Sequence, residues 1–147
     1  MIKPENSVLI KRPVAEVFEY LANGENNPQW QSSAQEVKKT SDGPIGVGTK
    51  FANMGCLLGR PLETTLECTE YEPNLKLVIK VVSGPMPFKV ETAFDPIAEG
   101  VTKVTFIGEA DVGDFFKLLP EPIVARRIQR QFETDHTKLK DLLEAQG

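Results

Sequence analysis

Histidine, tryptophan and cysteine are scarce in this chain: its 147 residues hold one histidine, His136, one tryptophan, Trp30, and two cysteines, Cys56 and Cys68. Cysteines outside any CxxC spacing and a lone histidine leave no ligand set for a structural zinc, so neither a metal nor a cofactor is expected. The two cysteines read as buried, reduced thiols, which goes with a cytoplasmic location. Long apolar runs are missing as well. No stretch approaches the roughly 20 apolar residues that cross a bilayer, and Met1-Ile2-Lys3-Pro4-Glu5-Asn6 lacks the apolar core of a signal peptide. Nor is there a basic excess: 17 Lys and Arg stand against 21 Asp and Glu, a formal net charge of −4. Nucleic-acid binders draw much of their affinity from neutralising phosphates, so nucleic acid is not an expected partner.

What is present is ordinary globular material, 40% hydrophobic and 26% charged, in a length that builds one core. No repeat, low-complexity tract or linker divides it, so residues 1–147 read as a single domain. Ser7-Val8-Leu9-Ile10-Lys11 has the pattern of a strand. Pro13 suits the first turn of a helix, where its missing N–H is not needed. Over Pro13–Ala22 the residues Val14, Val17, Phe18 and Leu21 recur at helical spacing, with Glu16 and Glu19 opposite. Asn23-Gly24 stops that helix, and Glu25–Ser33 is a second short, irregular or helical turn carrying Trp30.

From Ala34 the period changes to two. Strands are expected at about Glu36–Thr40, Gly48–Leu57, Pro61–Tyr71, Leu75–Ser83, Phe88–Asp95 and Thr102–Val112. Glycine-, proline- and asparagine-bearing turns separate them. Connections this short suit antiparallel neighbours, since parallel crossovers need a dozen or more residues. Past Pro120 and Pro122, Ile123–Ala145 reads as a long amphipathic helix with Val124, Ile128, Phe132, Leu139 and Leu143 on its apolar side.

Alternation sorts each strand into two faces. Leu62, Thr64, Leu66 and Cys68 oppose Glu63, Thr65, Glu67 and Thr69. Phe88, Val90, Thr92 and Phe94 oppose Lys89, Glu91 and Asp95, and Leu75, Leu77, Ile79 and Val81 oppose Lys76 and Lys80. Such strands are apolar inside and charged outside, as in an antiparallel sheet with one solvated face. One long helix cannot cover seven strands that lie flat. A twisted sheet can curl around it, and the curl leaves space lined by the inward residues.

The order of elements and several local runs resemble the START-like superfamily, in particular its polyketide cyclase/dehydrase and lipid-transport branch with the birch-pollen-allergen fold. The matching residues run Ile10-Lys11-Arg12-Pro13-Val14-Ala15-Glu16-Val17-Phe18-Glu19-Tyr20-Leu21, then Asn27-Pro28-Gln29-Trp30. They continue at Gly46-Val47-Gly48-Thr49-Lys50-Phe51, Glu70-Tyr71-Glu72-Pro73 and Lys138-Leu139-Lys140-Asp141-Leu142-Leu143-Glu144. The resemblance covers the whole chain. It implies an α+β helix-grip fold, in which a curved antiparallel seven-stranded sheet wraps around a long C-terminal helix, with two short helices after the first strand. It also implies a hydrophobic cavity between sheet and helix.

Carboxylates on the strands fall mostly on the solvent face, away from where burial would tune an acid or base. Gly43-Pro44-Ile45-Gly46-Val47-Gly48 precedes a strand, and a phosphate loop opens a helix, so it reads as a tight turn. His136 sits at the edge of the apolar stripe and is expected to be partly exposed. Cys68 has no histidine or lysine to lower its pKa and reads as core. Asn53, Glu70 and Arg60 are the polar candidates for an inward position, and Trp30 either walls the cavity or staples the short helix to the sheet. Asp114-Phe115-Phe116-Lys117-Leu118-Leu119-Pro120 holds more apolar bulk than one helix face buries. It suits a gate, a dimer contact, a membrane-touching patch or ordinary packing at the helix start, with Arg126, Arg127 and Arg130 nearby as a solvated face or for an anionic surface or carboxylate-bearing ligand.

These readings converge on a binding module for a small hydrophobic molecule, a lipid, isoprenoid or aromatic polyketide-like compound. The alternative is a cyclase/dehydratase-like enzyme acting in the same cavity. The expected lining comprises Trp30, Phe51, Asn53, Thr64 and Leu66 from the first half of the chain. Ile79, Phe88, Val90, Thr92 and Phe106 follow from the later strands, then Phe116, Leu119, Ile128 and Phe132. Partners would be the small molecule and, transiently, a membrane through Phe115–Leu119, with the protein a monomer or homodimer.

Overall fold

The computed structural model describes residues 1–113 and 115–146. Asp114, with which the apolar segment begins, lies outside the described residues. The strands are β1 (Glu5–Ile10), β2 (Ala34–Lys39), β3 (Lys50–Leu57), β4 (Arg60–Glu72), β5 (Lys76–Ser83), β6 (Phe88–Ala98) and β7 (Val101–Ala110). Helix α1 (Val14–Ala22) and a 3₁₀ turn (Gly24–Gln29) follow β1, and helix α2 (Glu121–Ala145) closes the chain. All seven strands form one curled antiparallel sheet in the order β1-β7-β6-β5-β4-β3-β2, an α+β helix-grip architecture.

The helices begin where proline chemistry sets them. Pro13 is the N-cap of α1, with an extended backbone, one residue ahead of the expected helical position. Pro120 caps α2 in the same way and Pro122 occupies its first turn, so α2 starts two residues earlier than the stripe suggested. Proline tolerates these sites because the first N–H groups of a helix have no partner within it. α1 buries Val17, Phe18, Leu21 and Ala22. The Phe18 ring meets Tyr71 and Phe94 edge-on at 5.2 and 5.0 Å, which docks the helix on β4 and β6.

The β3–β4 hairpin turns through Leu58 and Gly59, both at positive φ, 48° and 86°. That is the backbone of a two-residue turn matched to strand twist. Register shifts interrupt β4–β5 pairing between Thr65 and Leu66 and again between Cys68 and Glu70. The second shift changes which residues face in. Cys68 is buried, but Glu70 is exposed and pairs with Lys76 at 3.3 Å, while half-buried Tyr71 reaches the core instead. The inward position considered for Glu70 is thereby corrected, and the extra bulge residue is the cause. Cys56 is likewise half-buried, not buried.

The interior forms two main clusters at opposite ends of α2. One gathers Leu139 and Leu143 with α1, Trp30, Phe94, Val104 and Phe106. The other gathers Val124 and Ile128 with Leu57, Leu62, Met86, Phe115 and Phe116. The apolar segment before α2 is therefore split. Phe115 and Phe116 are each 5% exposed, whereas Leu118 is 92% exposed. Among the described residues, no helix is long and apolar enough to cross a membrane.

Candidate functional site: a cavity between the sheet and the long helix

Between the two clusters the sheet and the middle of α2 stand apart. Between them lies a cavity of about 180 Å³, partly open to solvent. α2 contributes Ile128, Gln131, Phe132, Asp135 and His136, a stretch about 12 Å long at 1.5 Å per residue. The sheet supplies Asn53 from β3, Thr64 and Leu66 from β4, and Ile79 from β5. Phe88, Val90 and Thr92 of β6 and Phe106 of β7 continue that wall. Trp30, just after the 3₁₀ turn, closes one side.

Eleven of the expected lining residues thus surround one space: Trp30, Asn53, Thr64, Leu66, Ile79, then Phe88, Val90, Thr92, Phe106, Ile128 and Phe132. Three others lie elsewhere. Phe51 shares inward parity with Asn53 but packs with Ala34 and Val37 in a small separate cluster, its ring against Gly24. Phe116 belongs to the second cluster, and Leu119 is 42% exposed. Parity identifies the side of the sheet; it does not say how far along the strand the cavity extends. Arg60 is exposed at the β3–β4 turn, its guanidinium 4.5 Å above the Phe115 ring and donating to the Phe115 carbonyl. It is absent from the cavity wall.

The lining also includes residues that the strand alternation could have yielded, Leu62 and Leu77, on the same faces as Thr64 and Ile79. Asn27, Gln31, Ser33 and Gln131 carry no such signal, being polar residues of irregular chain or helix flank. His136 is the main correction. It is 2% exposed, because it fills the gap between Phe132 and Leu139 in a continuous stripe of steps of four, three and four residues. That spacing was the available signal.

Around His136 the aromatic groups are dense. Its ring stacks on Phe106 at 3.6 Å and 12°, meets Phe132 edge-on at 4.5 Å, and lies 5.9 Å from Trp30. Asn6 on β1 donates from Nδ2 to His136 Nδ1 at 3.0 Å. Burial lowers the His136 pKa to about 3, so the ring is neutral near pH 7. With Nδ1 accepting, the ring proton resides on Nε2. Asp135 beside it is pushed upward by burial, opposed by the Ser32 N–H that it accepts at 3.2 Å. It is the only charged side chain among the described lining residues.

On the sheet side Asn53 Nδ2 donates to Thr64 Oγ1 at 3.3 Å. Trp30 both lines the cavity and belongs to the first cluster, so it walls and staples at once. Its Nε1–H is buried and lacks a hydrogen-bond partner among the described residues. Cys68 stays in the core, its thiol donating to the Glu70 carbonyl at 3.3 Å and its pKa raised chiefly by burial, the opposite of an activated nucleophile. Thr102 is also structural, donating to the Arg12 carbonyl at 2.9 Å.

Residues 1–144 match the family described as Polyketide cyclase / dehydrase and lipid transport. The chain belongs to that family. No curated protein matches it by sequence. Among solved structures, this polyketide cyclase/dehydrase and lipid-transport family member is similar to a START superfamily protein from Mycobacterium smegmatis, with a TM-score of 0.80 at 12% identity over 100% of both chains. It is also similar to ginseng major latex-like protein 151 from Panax ginseng, with a TM-score of 0.73 at 13% identity over 95% of each. The di-domain ARO/CYC BexL from the BE-7585A biosynthetic pathway gives a TM-score of 0.71 at 18% identity, covering 96% of this chain and 46% of that one. Likeness at these identities establishes the START-like fold of the family member; its chemistry has to be argued from the cavity.

Proposed function

We propose that this protein binds or carries a small hydrophobic molecule, within the range of lipids, isoprenoids and aromatic polyketides, in the cavity between sheet and α2. The observation that supports the reading is a cavity of about 180 Å³ with a predominantly carbon lining. Protein interiors rarely leave voids much larger than a water, which takes about 30 Å³ in the liquid. Space of this size costs stability unless something fills it. A bound apolar molecule would gain about 25 cal/mol per Å² buried, with the Thr and Asn side chains setting its orientation. Native mass spectrometry of protein from its own cells, followed by denaturation, tests this. A stoichiometric hydrophobic compound is expected, and a protein that is empty and binds no apolar probe sinks the reading.

A cyclase- or dehydratase-like enzyme is the second reading, supported by the inward placement of Asp135 and His136. An imidazole with a pKa of about 3 is a weak base at neutral pH, since general bases work best with pKa values near the operating pH. Binding therefore accounts for the site better than turnover.

We also propose transient contact with an anionic bilayer through the segment before α2. Leu118, Leu119 and Ile123 are 92%, 42% and 41% exposed. Exposed Lys117, Arg126 and Arg127 stand close by in sequence, the pairing of apolar and basic groups that a membrane surface attracts. Leu118→Asp should reduce co-sedimentation with phosphatidylglycerol vesicles several-fold. Equal sedimentation of variant and wild type rules the contact out.

A further inference from the structure

Two features of the cavity constrain its occupant: size and polarity. An apolar protein cavity of about 150 Å³ holds a benzene, whereas sites for drug-sized ligands run to about 300–1,000 Å³. At about 180 Å³, this cavity has room for one substituted ring. A longer chain or a fused polycycle would need the walls to move.

Polarity narrows it further. The Trp30 Nε1–H is a buried donor with no partner among the described residues, in a side chain only 4% exposed that lines the cavity. Buried donors in folded proteins are nearly always paired, and an unpaired one carries the desolvation cost of the group. His136 lies 5.9 Å away, ring to ring. Asn6 occupies its Nδ1, so its remaining ring nitrogen carries a proton. Both groups are donors and neither is charged. No Lys or Arg is among the lining residues described, and the one charged lining side chain, Asp135, is a carboxyl. An anionic ligand would find no counter-ion and would meet a like charge.

We infer that the cavity takes a neutral, single-ring molecule bearing an acceptor oxygen, a ketone, aldehyde or ether, which accepts from Trp30 Nε1–H with His136 Nε2–H as the second donor. This rests on the reading of the cavity as a ligand site and narrows it to a chemical class. A small turn of the indole toward the cavity brings its sealed N–H to the acceptor and converts an orphaned donor into a paired one, and the ring fills the apolar remainder between Phe106, Phe132 and the β5–β6 wall.

Trp30 is the single tryptophan, so one indole N–H resonance in a ¹H–¹⁵N spectrum reports on it without assignment work. The probes are acetophenone, ethylbenzene and benzoate, titrated by calorimetry and by NMR. Acetophenone should bind and move the indole N–H downfield. Ethylbenzene should bind and move it much less, and benzoate should bind at least tenfold more weakly than acetophenone. In Trp30→Phe the affinity ratio of acetophenone to ethylbenzene should drop about tenfold, the scale of one hydrogen bond. An indole peak that stays still at saturating acetophenone overturns the inference, whether or not the variant folds. So does benzoate as the tightest probe, or an unchanged ratio in folded Trp30→Phe. In those cases ethylbenzene binding keeps the ligand-site reading intact. If none of the three binds, the ligand-site reading fails and takes the inference with it.

Discussion

His136 has a pKa of about 3 in the folded chain against a usual 6.5, because burial strips hydration from the imidazolium. Below pH 6.5 the unfolded chain takes up a proton that the folded chain refuses. Its contribution to stability is therefore whole above pH 6.5 and is lost as pH falls toward 3. The limiting slope is about 1.4 kcal/mol per pH unit. Asp135 acts in the opposite sense. Its folded pKa is raised from 3.8, so its term favours the folded state at low pH and is lost as pH rises through the folded value. Both groups act on the slope below pH 6.5, and a variant that removes the imidazole alone separates them. His136→Gln, which keeps an acceptor for Asn6, should flatten that slope by about 1 kcal/mol per unit in urea denaturation series. Parallel slopes for variant and wild type would show that the imidazole is protonated in the fold. This residue was legible as part of the α2 stripe by spacing. Its polarity argued for the rim, and the Phe106 stack and the Asn6 hydrogen bond help make burial tolerable.

At the level of elements, hydrophobic period carried most of the fold: every strand, both helices and their order follow from alternation, the 3.6-residue stripe and proline punctuation. What it could not carry is register. The shifts at Thr65/Leu66 and Cys68/Glu70 depend on pairing with β5, which no property of β4 alone encodes, and they move Glu70 outward and Tyr71 inward. The Ala34/Glu36 shift between β2 and β3 has a local counterpart in Gly55. A Cβ on Gly55 would lie 1.7 Å from the Ser33 carbonyl oxygen, and Cys56 N donates to that same carbonyl at 3.1 Å. Only glycine permits so close an approach. Gly55→Ala should therefore destabilise the protein by about 2–4 kcal/mol, lowering Tm by about 10 °C. Because Ser33 lines the cavity, probe affinity should drop in the same variant. A Tm within about 1 °C of wild type would mean that β2 can shift away from β3 freely.

On the scale of the molecule, the two clusters brace α2 near its ends and leave its middle facing open space. The hydrophobic pattern is the same in both regions, so the sequence distinguishes packed from unpacked stretches poorly. Phe51 and Phe116 read like lining and are packed, while polar Gln131 and Asp135 line the space. A cavity held open for a ligand and one left by imperfect packing make opposite predictions when filled from within. Val90 on β6 lines the cavity and pairs in register with Ile79 and Gly108, and it is not among the residues that pack the Phe115–Phe116 cluster. In Val90→Phe the added ring should occupy much of the space that a one-ring ligand needs. The expected result is a more than tenfold loss of affinity for acetophenone and ethylbenzene alike. Tm should be unchanged or higher, since new apolar contacts replace a void. Lost binding with retained stability would show that the wild-type chain keeps its interior open at the expense of packing, as a ligand site requires. Overpacking of a nearly closed core would instead cost about 1–3 kcal/mol, and a Tm several degrees lower in Val90→Phe would mark the space as too tight for any occupant of that size.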